Sequence, residues 1–148
     1  MIMEYRVNNN VSFKNKLIIA GTRSFKDHAL LDSYTKEFTA VFNLYALNTE
    51  LVSGGGKGAD EIGEEFGRRY GFNVKRFLPD WSVGKKAGPM RNRQMAEYAT
   101  HLICFWDGVS PGTKNMMQLA KRYNLTFWVI NYKTLAIVNE NRPLRFME

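Results

Sequence analysis

Residues 50–66 read ELVSGGGKGADEIGEEF. A short apolar run, Leu51–Val52, meets a small residue, three consecutive glycines, a lysine and a fourth glycine. An acidic helical pattern then starts with no proline to interrupt it. This is the grammar of a strand, a tight loop and a helix, and it recurs along the chain. Strand-length apolar runs appear around 16–21 (KLIIAG), 50–54 (ELVSG), 72–77 (FNVKRF), 101–106 (HLICFW) and 126–130 (TFWVI). Between them, Leu31, Tyr34, Phe38, Phe42 and Tyr45 keep helical spacing, as do Ile62, Phe66 and Tyr70, and Met116, Ala120 and Tyr123. Strands alternating with helices of this length pair in parallel through crossovers. The pattern predicts an α/β, Rossmann-like three-layer fold with a mainly parallel sheet of about five strands. Local signals agree: Asp27 is placed to cap the first helix, Gly71 to stop the second, and Pro89 and Pro111 stand near helix starts, where a missing N–H costs nothing.

The chain has 148 residues, 45% of them apolar and 14% aromatic, which is enough for one compact unit with a real core. We expect a single domain over 1–148, its core about 16–130, with a polar N-terminal extension (1–13) and a charged C-terminal one (ENRPLRFME). A possible further strand, TLAIV, lies after Tyr132. No run approaches the ~18 apolar residues that cross a bilayer, and the start lacks the apolar stretch of a secretory signal, so the expected location is the cytoplasm, with no membrane partner. Cys104 is the single cysteine, which excludes a disulfide framework or a cysteine metal site within the chain. His28 and His101 have no partner at metal spacing, and no metal is expected. The formal charge of +7 favours an anionic partner, but the basic residues are dispersed and form no polybasic arm.

In open α/β sheets ligands gather where strands end and helices begin. Three such loops hold unusual residues: Gly21-Thr22-Arg23-Ser24 after the first strand, Ser53-Gly54-Gly55-Gly56-Lys57-Gly58-Ala59-Asp60 after the second, and WDGVSPGT (106–113) after the fourth. Glycines there let backbone amides approach an anion, and the helix dipole favours phosphate. Lys57 adds a counter-charge, and Asp60 and Glu61 offset the dipole. The plainer alternative is a tight turn that needs glycine for its geometry alone. The loop is neither a P-loop, which needs Lys followed by Ser or Thr, nor a GxGxxG fingerprint. Gly63 and Gly67, four apart, share a helix face and suit close packing. In the third loop Ser110 is a candidate N-cap, and Gly112 and Thr113 offer N–H groups and a hydroxyl to a second anionic or ribose-like group; an ordinary capped helix would look the same. Between the third and fourth strands, FLPDWSVGKKAGPMRNRQMAEYA (77–99) brings Asp80, Trp81, Arg91 and Asn92, with Arg91 and Met95 on one helix face.

The ordered set GTR, SGGGKGAD, DW…GKKAGPMRN…M and DG.SPGT closely resembles the YspA/YpsA-related branch of the SLOG superfamily, which also includes DprA-like proteins and the lysine-decarboxylase-like phosphoribohydrolases. The resemblance runs over roughly Lys16–Ile130. It implies a Rossmannoid domain, of bacterial or phage origin, that binds a nucleotide or nucleotide-derived ligand as a sensing or sequestering protein, commonly as a homodimer or higher homo-oligomer. Two alternatives are a nucleoside-5′-monophosphate phosphoribohydrolase-like N-glycosidase and, in the manner of DprA, a binder of single-stranded DNA. The phosphoribohydrolase relatives carry PGGxGTxxE, whose glutamate works with an arginine of the preceding helix. Here the motif is SPGTKNM, and the glutamate position is Met116. A thioether neither accepts a proton nor stabilises a ribosyl cation by charge, so an enzyme would need another carboxylate, and the catalytic candidates are Arg91, Asp80, Glu61 and Asp107, with Asp60 a further possible substitute. The expected ligand contacts are Gly21, Thr22, Arg23, Ser53, Gly54, Gly55, Gly56, Lys57, Gly58, Asp60, Asp80, Trp81, Arg91, Asn92, Ser110, Gly112 and Thr113. No cofactor beyond the nucleotide-type ligand is expected. Trp81 is placed to stack on a base, whereas Trp106 and Trp128 fall in strand runs suited to core packing.

Overall fold

The computed structural model describes residues 12–140. Most of the two predicted extensions lies outside that range. Six strands form one sheet: β1 (Asn15–Gly21), β2 (Thr49–Ser53), β3 (Asn73–Arg76), β4 (His101–Trp106), β5 (Thr126–Asn131) and β6 (Ile137–Glu140). Their order is β3-β2-β1-β4-β5-β6. The first five are parallel. β6 returns antiparallel to β5, with Ile130 opposite Ile137. Four α-helices connect them: α1 (His28–Val41), α2 (Ala59–Tyr70), α3 (Ala87–Tyr98) and α4 (Pro111–Arg122), and a 3₁₀ segment (Trp81–Lys86) precedes α3.

The buried strands explain the unbroken apolar runs. β1 lies at the centre, pairing with β2 on one side (Ile18 opposite Val52) and with β4 on the other (Ile18 opposite Leu102). With helices over both faces, alternation of polar and apolar residues disappears. Leu17 and Ile19 pack with Leu31 and Phe38 of α1 and Ile62 and Phe66 of α2. Ile18 and Ala20 turn to the opposite face, onto Met95 and Ala96 of α3 and Met116 and Leu119 of α4. This is the three-layer arrangement expected. Gly63 and Gly67 let α2 sit close on the sheet, since a Cβ at either would fall 2.6 Å from Ile19 Cγ2 or 2.8 Å from Leu51 Cδ1 respectively.

The helix ends follow their signals. Asp27 accepts a hydrogen bond from the Leu30 amide, and Gly71 closes α2 in the left-handed conformation. One expectation is revised. The helical pattern that ran to Tyr45 stops at Val41, because Asn43 takes a left-handed φ of 57° and Leu44 N–H turns back to Thr39 O, leaving Tyr45 exposed. The further strand offered by the TLAIV run is present as the sixth, but later than its start: the run begins as a turn, in which Asn131 Oδ1 accepts from the Lys133 and Thr134 amides, and becomes a strand only at Ile137. Among the described residues no helix is long and apolar enough to cross a membrane.

Candidate functional site

The strand order reverses direction between β1 and β4. Chains leaving those two strands diverge to opposite faces of the sheet, and the crevice between them is where open α/β sheets take ligands. A cleft of about 890 Å³ opens there. Its lining comes from all three predicted loops, from the end of the β3 connection and from α3 and α4.

Thr22 fastens the loops together. Its amide donates to Phe105 O (2.9 Å), its Oγ1 accepts from the Asp107 amide (3.1 Å), and its carbonyl accepts from the Ala59 amide at the start of α2 (3.3 Å). Beside it Arg23 is exposed and, like Lys57 of the glycine loop, forms no ion pair among the described residues. Two cations thus face the cleft uncommitted.

The glycine loop is built differently from the open anion cradle expected of it. Gly55 N–H donates to Ser53 Oγ (3.0 Å), and Ser53 Oγ in turn donates to Glu64 Oε2 (2.6 Å). Gly56 N–H donates to Asp60 Oδ2 (3.0 Å). The glycines make room for side chains of the protein itself. A Cβ at Gly54 would stand 2.6 Å from Arg91 Nη1, one at Gly55 would stand 2.5 Å from Leu78 Cδ2, and one at Gly56 would stand 3.1 Å from Asp60 Oδ2. Gly55 also has φ +73°, a conformation that L side chains rarely adopt.

Arg91 reaches from α3 across the strand ends. Its Nη1 donates to Gly54 O and, more distantly, to Phe77 O (3.5 Å), while Nε donates to Asn92 Oδ1 (3.0 Å). Asn92 is buried and its Nδ2 bonds Asn115 Oδ1 (3.0 Å) and Gly112 O (3.4 Å), which ties α3 to the start of α4. Desolvation lowers the Arg91 proton affinity and the nearby Asp60 charge opposes that change. Asp60 lines the cleft. Burial pushes its carboxyl up from 3.8 to about 6, against the pull of the Gly56 amide and of Arg91 and Arg23, and Glu64 adds to the rise.

At α4, Pro111 occupies the first turn and Ser110 stands at the cap position, but its hydroxyl donates to Asp107 Oδ2 (3.0 Å) rather than capping the helix. Asp107 holds its own loop: Oδ1 accepts from the Val109 (2.9 Å) and Ser110 (2.8 Å) amides. Burial raises its pKa, and these bonds outweigh it to hold the carboxyl below the usual range. The first-turn amides of Gly112 and Thr113 have no carbonyl within the helix to receive them, and the space beside Gly112 is open for 4 Å around a built Cβ.

Fourteen of the seventeen residues expected to contact ligand line the cleft; Ser53, Gly58 and Asp80 do not. Ser53 is a brace for the loop. Gly58 is where α2 crosses the Thr22 and Arg23 carbonyls, which leave no room for a Cβ. Asp80 caps the 3₁₀ segment, taking the Ser82 amide (3.1 Å) and hydroxyl (2.6 Å), and those bonds lower its pKa. Of the four catalytic candidates, Arg91 and Asp107 line the cleft, while Asp80 and the exposed Glu61 lie outside its lining. Sequence reading missed Leu78, Pro79 and Ala20 in the lining; Met95, on the Arg91 face, Met116, at the glutamate position, and Ser24 and Pro111, within the quoted loops, line it as well. Met95 and Met116 are 2% and 1% exposed, whereas Leu78 at 60% and Trp81 at 65% face solvent at the cleft. His28 pairs with Glu65 (3.4 Å) and His101 with Thr100 (2.7 Å), both outside the cleft lining. Cys104 is buried in β4.

A doubly wound sheet with a cleft at its switch point, and with helix starts and free cations on it, is a Rossmann-type arrangement. The model of the YspA, cpYpsA-related SLOG family matches residues 15–84, from β1 through the glycine loop into the 3₁₀ segment, so that just under half of the chain is similar to that family. Among solved structures, DNA processing protein A (DprA) from Streptococcus pneumoniae is similar in fold, with a TM-score of 0.61 at 14% identity over 80% of this chain and 50% of that one. The chain therefore spans half the length of that structure. No curated protein matches it.

Proposed function

We propose that the protein binds a nucleotide or nucleotide-derived ligand in this cleft and holds it without cleaving it, as a sensing or sequestering protein of the bacterial or phage cytoplasm and as a homo-oligomer. The observation that carries the reading is the make-up of the lining. Uncommitted Arg23 and Lys57 and the open first turn of α4 at Gly112 and Thr113 suit a phosphate. Leu78, Trp81, Met95 and Met116 suit the flat apolar faces of a base. A volume of about 890 Å³ is ample for a mononucleotide or a larger derivative.

The placement of the carboxylates supports binding without turnover. Met116 occupies the position of the hydrolases' glutamate and is buried, Asp107 is engaged by its own loop, and Glu61 and Asp80 lie outside the lining. Asp60 is the carboxylate the hydrolase reading retains. A strand of DNA fits less well, because Trp106 is bonded to Ser110 O (3.1 Å) and Trp128 is packed against Phe38 and Phe42, leaving Trp81 as the exposed indole. Mass spectrometry of small molecules released from the purified protein, with calorimetry against the four ribonucleoside 5′-monophosphates, tests the reading. We expect an intact nucleotide, and free base no higher than in a buffer control. Rapid base release, lost in Asp60→Asn, would replace the binder with a hydrolase.

A further inference from the structure

We propose that Asp60 makes the glycine loop a subsite for a hydrogen-bond donor of the ligand, a sugar hydroxyl pair, and closes that loop to phosphate. The nature of the donor rests on the nucleotide reading above; the exclusion of phosphate does not.

A loop that holds a phosphate aims unpaired N–H groups at it. In this loop two consecutive amides at its centre are already received by oxygens of the protein, Gly55 by Ser53 Oγ and Gly56 by Asp60 Oδ2, each at 3.0 Å. Behind Ser53 stands a second carboxylate, Glu64. The space that the glycines vacate is filled from the protein side too: Asp60 Oδ2 lies 3.0 Å from where a Gly54 Cβ would be and 3.1 Å from the Gly56 equivalent. Arg91 does not cancel this charge by contact. No Asp60–Arg91 ion pair forms within 4 Å, and the Arg91 bonds within the protein go to Gly54 O, Phe77 O and Asn92 Oδ1.

What remains for a ligand at this spot is an acceptor. Asp60 lines the cleft, and its Oδ1 accepts no hydrogen bond among the described residues. An ionised carboxylate accepts only, so its partner must donate, and adjacent sugar hydroxyls present two donors to one carboxylate. A phosphate in the same place would meet a like charge and amides already in use.

The charged and titratable groups around Asp60 come from each neighbouring element: Arg23 from the β1 loop, Arg91 from α3, Glu64 from its own helix, and the Cys104 thiol of β4, with Lys57 in the same loop. Burial outweighs the two arginines, so the carboxyl protonates near pH 6, and below that the repulsion of an anion lapses.

The first test needs no nucleotide. In ¹⁵N-labelled protein at pH 8, inorganic phosphate should move the Gly112 and Thr113 amides and leave Gly55 and Gly56 in place, and the Gly56 amide alone should shift with a midpoint near pH 6 on acidification, in the native protein and not in Asp60→Asn. Phosphate-dependent shifts centred on Gly55 and Gly56 at pH 8, or a Gly56 amide indifferent to pH, overturn the proposal. The second compares a ribonucleoside 5′-monophosphate with its 2′,3′-dideoxy counterpart by calorimetry. Loss of the hydroxyls should weaken binding to the native protein at least about tenfold, and Asp60→Asn should bring the two ligands within about threefold of each other. Equal affinity of the native protein for both overturns the donor assignment, whereas a panel in which no monophosphate binds sinks the nucleotide reading and leaves the amide experiment to decide on phosphate.

Discussion

Asp60→Asn should change the pH dependence of stability in a way that no loss of packing imitates. Asparagine keeps an oxygen for the Gly56 amide and nearly the same volume, and it removes a titration. In the folded protein the carboxyl protonates at about 6 instead of 3.8. The sign follows from the direction: between those values the folded state binds the proton that the unfolded chain has released, so stability falls as pH rises through the window. The full effect corresponds to about 3 kcal/mol, reached above pH 6 and absent below the unfolded value. Roughly 2 kcal/mol of it accrues between pH 4.5 and pH 8. At roughly 2–4 °C per kcal/mol for a chain of this size, the variant should gain about 4–8 °C in Tm relative to the native protein across that interval. Lost attraction to Arg91 and Arg23 is already contained in the value near 6, so the diagnostic is the slope of the difference and not its offset. Urea denaturation of both proteins at half-unit pH steps measures it. Two stability curves that stay parallel from pH 4.5 to 8 would refute the buried carboxylate, and with it the physical basis for Asp60 as the charged reader of the ligand. A native residue kept against such a cost is one expected to serve binding rather than folding.

Arg91→Lys removes the fork that reaches Gly54 O, Phe77 O and Asn92 Oδ1, and should destabilise the protein by about 1–3 kcal/mol in chemical denaturation, because lysine restores the charge but not the spread of donors. Native stability of the lysine variant would return Arg91 to a solvated helix face. Gly112→Ala separates folding from binding: its Cβ meets nothing within 4 Å, so stability should stay level or rise by up to about 1 kcal/mol, while monophosphate affinity measured by calorimetry drops about tenfold as the methyl group enters the cleft. Undiminished affinity would place the phosphate elsewhere than the first turn of α4.

Much of the fold was legible because its signals are local. Five apolar runs, the helical spacing between them, Asp27 and Gly71 each state a backbone preference within a few residues, and the parallel order follows from crossovers of that length. That the three loops would meet at one cleft was legible for the same reason, since strand ends on a parallel sheet share one edge. What the loops do with their hydrogen bonds was not legible. Whether the Gly56 amide is free depends on a carboxylate four residues later turning back onto it, and whether Asp80 faces a ligand depends on Ser82 competing for it first. Leu78 escaped because a single leucine between a strand and a proline carries no periodic signal, and Met116, though aligned with the hydrolases' glutamate, also kept ordinary helical core spacing. Only the packing distinguishes a methionine beneath a cleft from one beneath another helix. Met95 gave a partial signal by sharing a face with Arg91.

The glycine loop has a consequence for how such sequences can change. Each of its three central glycines makes room first for one side chain, Gly54 for Arg91 with Asp60 next to it, Gly55 for Leu78 and Gly56 for Asp60. A methyl group at Gly54 is admissible only if position 91 shrinks or swings away, and one at Gly56 only if position 60 gives up its bond to the loop. Mutational drift here is therefore paired over separations of 37 and 4 residues, whereas Gly55, held at φ +73°, resists a side chain whatever stands at position 78. Among diverging copies of this gene, substitutions at the loop should arrive together with substitutions at their partners, and a single exchange of either member should be the rarer, less fit intermediate.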